Sequence, residues 1–242
     1  MSKSTVISRK DMKEPDKFQE AATQAASWLA SRKRHVMLAG GAAVVVVLLV
    51  AVVSLVQGRR EAQAGAAGAE LLTAVAGTVG QAPTPGAAAQ TFPTEEAKQR
   101  AIVAAADKVI AQYAGTGPGD LALLSKGDAH YKLREWDGAK DAYEKFLAAA
   151  PGKDSLRFGA LEGLGLVAEA KGDLDGAVKA YERMAKDAPA FADRADLERA
   201  RVLEQAGKGA EAKAILTDFA KNHEKSLLAP EAAQRLAKLG GG

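Results

Sequence analysis

The sequence predicts an all-α protein in which a single transmembrane helix precedes a solenoid of helical hairpins. Three observations lead to this fold class. The run from 36 to 56 carries no charge, and the pattern at 127–151 recurs at 165–189. Aromatic residues make up only 5% of the chain, which is few for a β-sandwich or barrel, since those folds depend on aromatic and β-branched pairing.

Composition excludes several classes of protein. The chain has no cysteine, which excludes disulfide scaffolds, cysteine-ligated zinc folds, iron–sulfur proteins and thiol nucleophiles. Its three histidines are far apart, so we expect no metal site. Residues 1–35 hold eight Lys/Arg and four Asp/Glu, a net charge of +4, whereas residues 57–242 hold 25 and 26, a net charge of −1. The larger part is therefore near neutral, and we expect no nucleic acid as a partner.

The uncharged run from Val36 to Val56 predicts a transmembrane helix. At about 1.5 Å per residue it is roughly 31 Å long, which matches a bilayer core of about 30 Å. The alternatives are a buried core helix and a cleaved signal peptide. The polar arm that precedes the run is long for a signal peptide, and the small-residue triplet at 62–64 follows charged residues at 59–61. We therefore predict an uncleaved anchor.

Flanking cations predict the orientation of this helix. Arg32, Lys33 and Arg34 precede it, and Arg59 and Arg60 follow it. Because the side with more Lys and Arg stays in the cytoplasm, the arm is predicted to be cytoplasmic and the C-terminal domain to cross the membrane.

A short amphipathic helix is predicted within the arm, 1–35. Phe18, Ala22, Ala25 and Leu29 lie on one helical face, beside Trp28. Such a stripe lies among lipid headgroups, docks on a partner, or belongs to a helical stub with no partner. The sequence leaves these alternatives open.

The region 57–93 is predicted to contain a helix over 62–76 and a Pro/Gly/Ala-rich loop over 77–93. The helix is compatible with an outward continuation of the membrane helix. A further helix is predicted over 94–114, with glutamates in its first turn, before a glycine-rich breaker at 115–119. The two helices are expected to form a degenerate hairpin ahead of the repeats.

A repeat domain is predicted over 94–240. It contains three aligned segments, each of which is predicted to form two antiparallel helices, and a capping helix over 227–239. The segments begin at positions 127, 165 and 200, so the first step is slightly longer than the second. Small residues allow close helix approach, tyrosines fill the gap, and prolines end the second helix. The repeat-packing residues are Gly127, Ala139, Tyr143, Pro151, Gly165, Ala177, Tyr181, Pro189, Ala200 and Ala212.

This pattern resembles the tetratricopeptide repeat, although leucines at 123 and 161 replace the consensus tryptophan. The layout as a whole resembles the YfgM-type ancillary subunits of the bacterial Sec translocon, which have a short cytoplasmic helix, one span and an external repeat domain. The resemblance implies a single-pass protein of the bacterial inner membrane, with a periplasmic repeat domain. Its implied partners are the translocon and periplasmic chaperones that assist exported proteins.

Motifs for catalysis are weak in this chain. The Gly163-x-Gly165-x-x-Ala168 spacing has no preceding strand, and the run at 115–120 lacks the lysine of a phosphate-binding loop. The histidines have no partner at catalytic spacing. We therefore predict no enzyme activity, no catalytic residue and no cofactor.

The first helices of such repeats line the binding face, which makes proteins the expected partners. Leucine, tyrosine and both charge signs on this face suit an extended peptide or a partner helix. Cytosolic tetratricopeptide-repeat proteins that bind the C-terminal carboxylates of chaperones use a pair of asparagines. This chain has one asparagine, Asn222, so we do not expect it to bind such tails in that way. An alternative function is a scaffold in envelope assembly or division. The predicted groove residues are Leu124, Asp128, Tyr131, Lys132, Glu162, Leu166, Glu169, Arg194, Leu197, Arg201 and Glu204.

Overall fold

The computed structural model describes residues 17–80, 90–149 and 154–240. The fold class is confirmed: a long apolar helix precedes a series of helical hairpins. The chain divides into two compact units, Met1–Gly58 and Arg59–Gly242.

The first unit contains α1 (Lys17–Ser31) and the beginning of α2 (Lys33–Ala76). Of the stripe predicted in α1, Ala25 is exposed, as is its neighbour Trp28. The side chains of three further members of the stripe lie outside the described residues: Phe18, Ala22 and Leu29.

The apolar part of α2 has its surface exposed. The segment Ala42–Ala76 is long and apolar enough to cross a membrane, with a mean hydropathy of 2.3 in its most apolar window, none of which is buried. Large side chains between Val44 and Val56 are 52–66% exposed. This exposure does not fit the alternative of a buried core helix.

In the second unit, the end of α2 and α3 (Glu95–Tyr113) form the expected hairpin. Lys108 Nζ lies 2.8 Å from Glu70 Oε1, and Arg60 donates a hydrogen bond to the Ala114 carbonyl oxygen. The two helices are thus antiparallel, and the helix predicted over 62–76 continues α2 without a break. The apolar cluster between them includes Leu71, Ala74, Ile102, Ala105, Ala106 and Val109.

The segment predicted as a loop over 77–93 contains two very short parallel strands. They are β1 (Thr78–Val79) and β2 (Thr91–Phe92). Phe92 is 6% exposed and packs in the same cluster as α3, which brings its backbone beside β1. The Gly80 N–H then donates to the Phe92 carbonyl oxygen at 3.0 Å, so these backbone groups are paired. Residues 81–89 of the predicted loop lie outside the described residues.

The predicted breaker at 115–119 ends α3, but α4 (Gly117–Lys132) begins inside it. The Thr116 hydroxyl accepts a hydrogen bond from the Gly119 N–H, as a helix N-cap does. Pro118 occupies the first turn, where its missing N–H is not needed. The glycine-rich run is therefore a helix start as well as a breaker.

The remaining helices form the predicted hairpins and a terminal helix. The helices after α4 are α5 (Trp136–Ala149), α6 (Asp154–Ala170), α7 (Leu174–Asp187), α8 (Ala192–Gln205), α9 (Gly209–Asn222) and α10 (Ala229–Gly240). A 3-10 helix, Pro189–Phe191, follows α7. The α6 helix has 17 residues and α8 has 14, which accounts for the longer first step of the repeat.

Tyrosine rings fill the gaps between the first and second helices of the hairpins. A Cβ atom added at Gly127 would lie 2.5 Å from the Tyr143 ring, and one added at Gly163 would overlap the other side of that ring. Tyr181 lies in the same way against Gly165. Four alanines at the small-residue positions are completely buried: Ala139, Ala177, Ala200 and Ala212. Pro189 follows the end of α7, whereas Pro151 lies outside the described residues.

Each hairpin turn contains one residue in the left-handed backbone region. These residues are Arg134, Gly172 and Gly207, with φ of 60°, 75° and 72°. In every turn this residue donates its N–H to the carbonyl three residues earlier, and the next residue donates to the carbonyl five residues earlier. This is the Schellman ending of a helix, which favours glycine because a Cβ atom is strained there.

We expect Arg134→Gly to raise the free energy of unfolding by about 1 kcal/mol, because it relieves the left-handed strain of a non-glycine residue. Urea unfolding of the detergent-solubilised chain measures the change. Gly172→Ala is the matched control and is expected to lower the free energy by about 1 kcal/mol. An unchanged or lower stability of Arg134→Gly contradicts the prediction.

Candidate partner-binding face

The predicted groove residues lie on the first helices of the three hairpins, α4, α6 and α8. We call the surface that they were predicted to form the first-helix face. Ion pairs link this face between α6 and α8. Arg194 Nε lies 2.6 Å from Glu162 Oε1, and Arg201 contacts both oxygens of Glu169 at 2.7 and 2.8 Å. The structure thus brings these four predicted residues together.

Arg201 is held by two carboxylates. Besides the fork to Glu169, its Nε lies 2.6 Å from Glu198 Oε2. The hydrogen bonds that Arg201 donates to Glu169 and Glu198 raise its pKa, and the bond that Arg194 donates to Glu162 raises the pKa of Arg194. Both arginines are therefore held as cations, Arg201 in a bidentate pair with both oxygens of Glu169 and Arg194 on the single oxygen Oε1 of Glu162.

Two tyrosine hydroxyls of the second helices reach the same face. Tyr143 Oη lies 2.7 Å from Asp128 Oδ1, and Tyr181 Oη lies 2.8 Å from Glu169 Oε1. Burial raises the pKa of both tyrosines, so the hydroxyls stay protonated and donate to the carboxylates. The packing tyrosines therefore also orient the acidic groups of the first-helix face.

Four further predicted residues lie on this face with different surroundings. Leu124 is partly buried against the apolar cluster that α5, α6 and α7 form with α8, and Leu166 is half-buried. The Tyr131 ring lies 5.3 Å from the Trp136 ring, centroid to centroid. Lys132 is exposed at the end of α4, which leaves its ammonium group accessible to a partner.

Two predicted groove residues are covered by other helices. Leu197 is only 5% exposed and lies in the apolar cluster that α8 forms with α9 and α10. Glu204 lies 3.7 Å from Arg235 of α10. The terminal helix covers the third hairpin as a following hairpin would, so Leu197 contributes to packing and not to an accessible surface.

Sequence reasoning missed an aromatic pair beside the face. The Phe158 and Phe191 rings stack with centroids 4.1 Å apart, and the Arg194 guanidinium lies 6.0 Å from the Phe158 ring. The interval between the two phenylalanines is 33 residues, shorter than either step of the repeat, so the repeat register gave no signal of their contact.

A second missed feature is the buried guanidinium of Arg157. It is 7% exposed, donates to the Leu147 carbonyl oxygen at 3.1 Å, and lies 2.9 Å from Asp187 Oδ2. Its contacts join the ends of α5, α6 and α7. Nothing in the local sequence distinguishes this arginine from the solvated ones.

His130 and His223 are engaged in local pairs. His130 Nδ1 lies 2.6 Å from Glu135 Oε2, and Glu135 also binds Arg100 of α3. His223 Nε2 lies 3.3 Å from Asp196 Oδ2. Within residues 17–80, 90–149 and 154–240, no group of three His, Asp or Glu side chains is placed to hold a metal ion.

Comparison with known proteins identifies one family within the chain. The profile of the tetratricopeptide repeat matches residues 121–152, which include most of the α4–α5 hairpin. No curated protein matches the chain. The matched repeat indicates a protein–protein interaction module, and the geometry of α6–α9 extends the same hairpin pattern beyond the matched segment.

Proposed function

We propose that this protein is a membrane-anchored scaffold that binds another protein through its first-helix face and catalyses no reaction. The observation that carries the proposal is the pairing of Glu162 with Arg194 and of Glu169 with Arg201. These pairs hold neighbouring first helices in register, so the face is organised before a partner arrives. A preorganised face loses less conformational entropy on binding.

In the proposed arrangement, residues 36–56 cross the bacterial inner membrane and the arm, 1–35, is cytoplasmic. The region 57–93 and the repeats, 94–240, then lie on the periplasmic side. The apolar surface of α2 supports the anchor, and the greater number of cations before it supports the orientation.

The proposed partners are the Sec translocon and periplasmic chaperones. The resemblance to YfgM-type subunits supports this choice, since that layout places a repeat domain beside the site where exported chains emerge. A tether of this kind raises the effective concentration of the first-helix face near such chains. Weak contacts with a partner are then sufficient for function.

Site-specific photo-crosslinking in intact cells tests this function. A photoreactive amino acid in place of Lys132, on the first-helix face, is expected to form adducts with a Sec subunit or a periplasmic chaperone. The matched control is the same replacement of Lys145, which is exposed on α5, and it is expected to form none.

The identity and position of the adducts decide the outcome. Equal adducts at Lys132 and Lys145, or adducts at Lys145 alone, contradict the use of the first-helix face. Adducts at Lys132 with an envelope-assembly or division protein contradict the Sec partnership and favour the alternative scaffold function.

A further inference from the structure

A compact group of cations lies at the junction of the two helices of the first unit. Arg32 separates α1 from α2, and Lys33 and Arg34 begin α2. All three side chains are exposed. The uncharged run begins at position 36, which is about 3 Å further along a helix than Arg34. If that run lies in the hydrocarbon core, these cations lie at headgroup depth.

An aromatic ring lies beside the same cations. Trp28 is 53% exposed, and the Arg32 guanidinium lies 5.1 Å from the centroid of its ring. This contact is a cation–π interaction, which holds the guanidinium over one face of the indole. Indole side chains are enriched at the boundary between lipid and water, where an apolar ring and a polar N–H are both accommodated.

We propose that Trp28, Arg32, Lys33 and Arg34 form a binding site for anionic phospholipid headgroups. The proposal rests on the membrane anchoring proposed above. The partner is identified by charge complementarity. The sequence from 17 to 34 contains four Lys/Arg residues and one carboxylate, Glu20, which gives a net charge of +3. A guanidinium matches the geometry of a phosphate and stays charged at any physiological pH.

The lipid headgroup is favoured over an acidic protein because the site directly adjoins the uncharged run. Cations next to a membrane helix attract anionic lipid within a Debye length of the surface. The site is therefore expected to concentrate phosphatidylglycerol around the cytoplasmic end of the helix. The site would thereby determine which lipids surround the membrane anchor.

Lipid selectivity is measured by quenching of Trp28 fluorescence. The full chain with Trp136→Phe, in which Trp28 is the one tryptophan, is reconstituted into vesicles that contain equal amounts of phosphatidylglycerol and phosphatidylcholine. Only one of the two lipids is brominated in each sample. We expect brominated phosphatidylglycerol to quench Trp28 about threefold more effectively than brominated phosphatidylcholine, a preference that added salt weakens.

Two variants with equal losses of charge separate the site from general attraction. In the triple variant Arg32→Gln, Lys33→Gln, Arg34→Gln, both brominated lipids are expected to quench Trp28 equally. The control triple variant Lys3→Gln, Arg9→Gln, Lys10→Gln removes three cations elsewhere in the arm and is expected to keep the preference.

Three outcomes overturn the proposal. They are equal quenching of Trp28 by the two brominated lipids when the three cations are unchanged, an equal loss of the phosphatidylglycerol preference in both triple variants, and no quenching of Trp28 by either lipid. Resistance of the reconstituted chain to carbonate extraction is measured in parallel. A chain that resists extraction but shows no preference contradicts the lipid site alone. A chain that is extracted contradicts the membrane anchor itself.

Discussion

Replacing Gly163 with alanine is expected to lower the free energy of unfolding by about 2–3 kcal/mol, the cost of overpacking a core. The new Cβ atom would overlap the Tyr143 ring. This ring is 2% exposed and has Gly127 on its other side, so it has no space into which to move. Urea unfolding of the full chain in detergent, followed by Trp136 fluorescence in a Trp28→Phe background, measures the change.

Gly159 offers a matched control on the same helix. A Cβ atom there would approach only Leu124, at 3.9 Å, which is an ordinary van der Waals contact. Gly159→Ala is therefore expected to raise the free energy of unfolding by about 0.5–1 kcal/mol, the helix-propensity difference between the two residues. Equal effects of the two substitutions would contradict a wedged Tyr143 ring.

A smaller side chain at position 143 identifies the source of the penalty. In a Tyr143→Leu background, Gly163→Ala is expected to cost less than in the native chain, because the overlapping ring is removed. A penalty that stays unchanged would place the strain elsewhere in α6. The difference between the two backgrounds is the coupling energy of the pair.

The packing of the hairpins was accessible from the sequence because it repeats along the chain. Gly127 and Gly165 occupy the same position of successive repeats, and each lies against a tyrosine of its own hairpin. Gly163 does not repeat, since Ser125 and Glu198 occupy the equivalent positions. Its spacing to Gly165 resembled a dinucleotide motif, and its contact with the preceding hairpin gives no periodic signal.

The sequence predicted which residues belong to the first-helix face, but it did not predict the ion pairs between them. Helical register placed Glu162 and Arg194 on first helices, but the ion pair between them depends on how closely α6 and α8 approach. The same interval in the sequence separates Glu169 and Arg201. Leu197 follows the register yet is buried, because α10 completes the apolar cluster around it.

Helix capping and tertiary packing explain where the boundaries of the elements differ from the prediction. Thr116 and Pro118 allow α4 to begin within the glycine-rich breaker, although the local composition favours a loop. The strand pair around Phe92 depends on burial of that ring against α3, a tertiary contact that a Pro/Gly/Ala-rich segment does not reveal. Tertiary packing overrides local propensity in such segments.

Asp187→Asn is expected to lower the free energy of unfolding by about 3 kcal/mol at neutral pH, because it leaves the buried Arg157 cation without its counter-charge. The Arg157 side chain is 8% exposed, and Asp187 Oδ2 lies 2.9 Å from its guanidinium. The bond to the Leu147 carbonyl oxygen remains, but a carbonyl does not neutralise the charge.

The decrease in the free energy of unfolding caused by Asp187→Asn depends on pH, because it depends on the charge of the native Asp187 carboxylate. Partial burial raises the pKa of Asp187, but hydrogen bonds from Arg183 and Arg157 outweigh it and hold the pKa below its ordinary value. A depressed folded-state pKa contributes stability above the unfolded value of about 3.9, and this stability is lost as the pH falls through the folded value. The gap between the native chain and Asp187→Asn should therefore narrow below about pH 4.

Urea unfolding at neutral and acidic pH measures both effects, and Asp218→Asn is the matched control. Asp218 lies on α9 with its side chain 67% exposed, 3.3 Å from Lys221, so its replacement is expected to cost less than about 0.5 kcal/mol. Equal costs for the two substitutions would mean that Arg157 is solvated in solution. A gap that stays constant into the acid range would mean that the charge of Asp187 does not stabilise the junction of α5, α6 and α7.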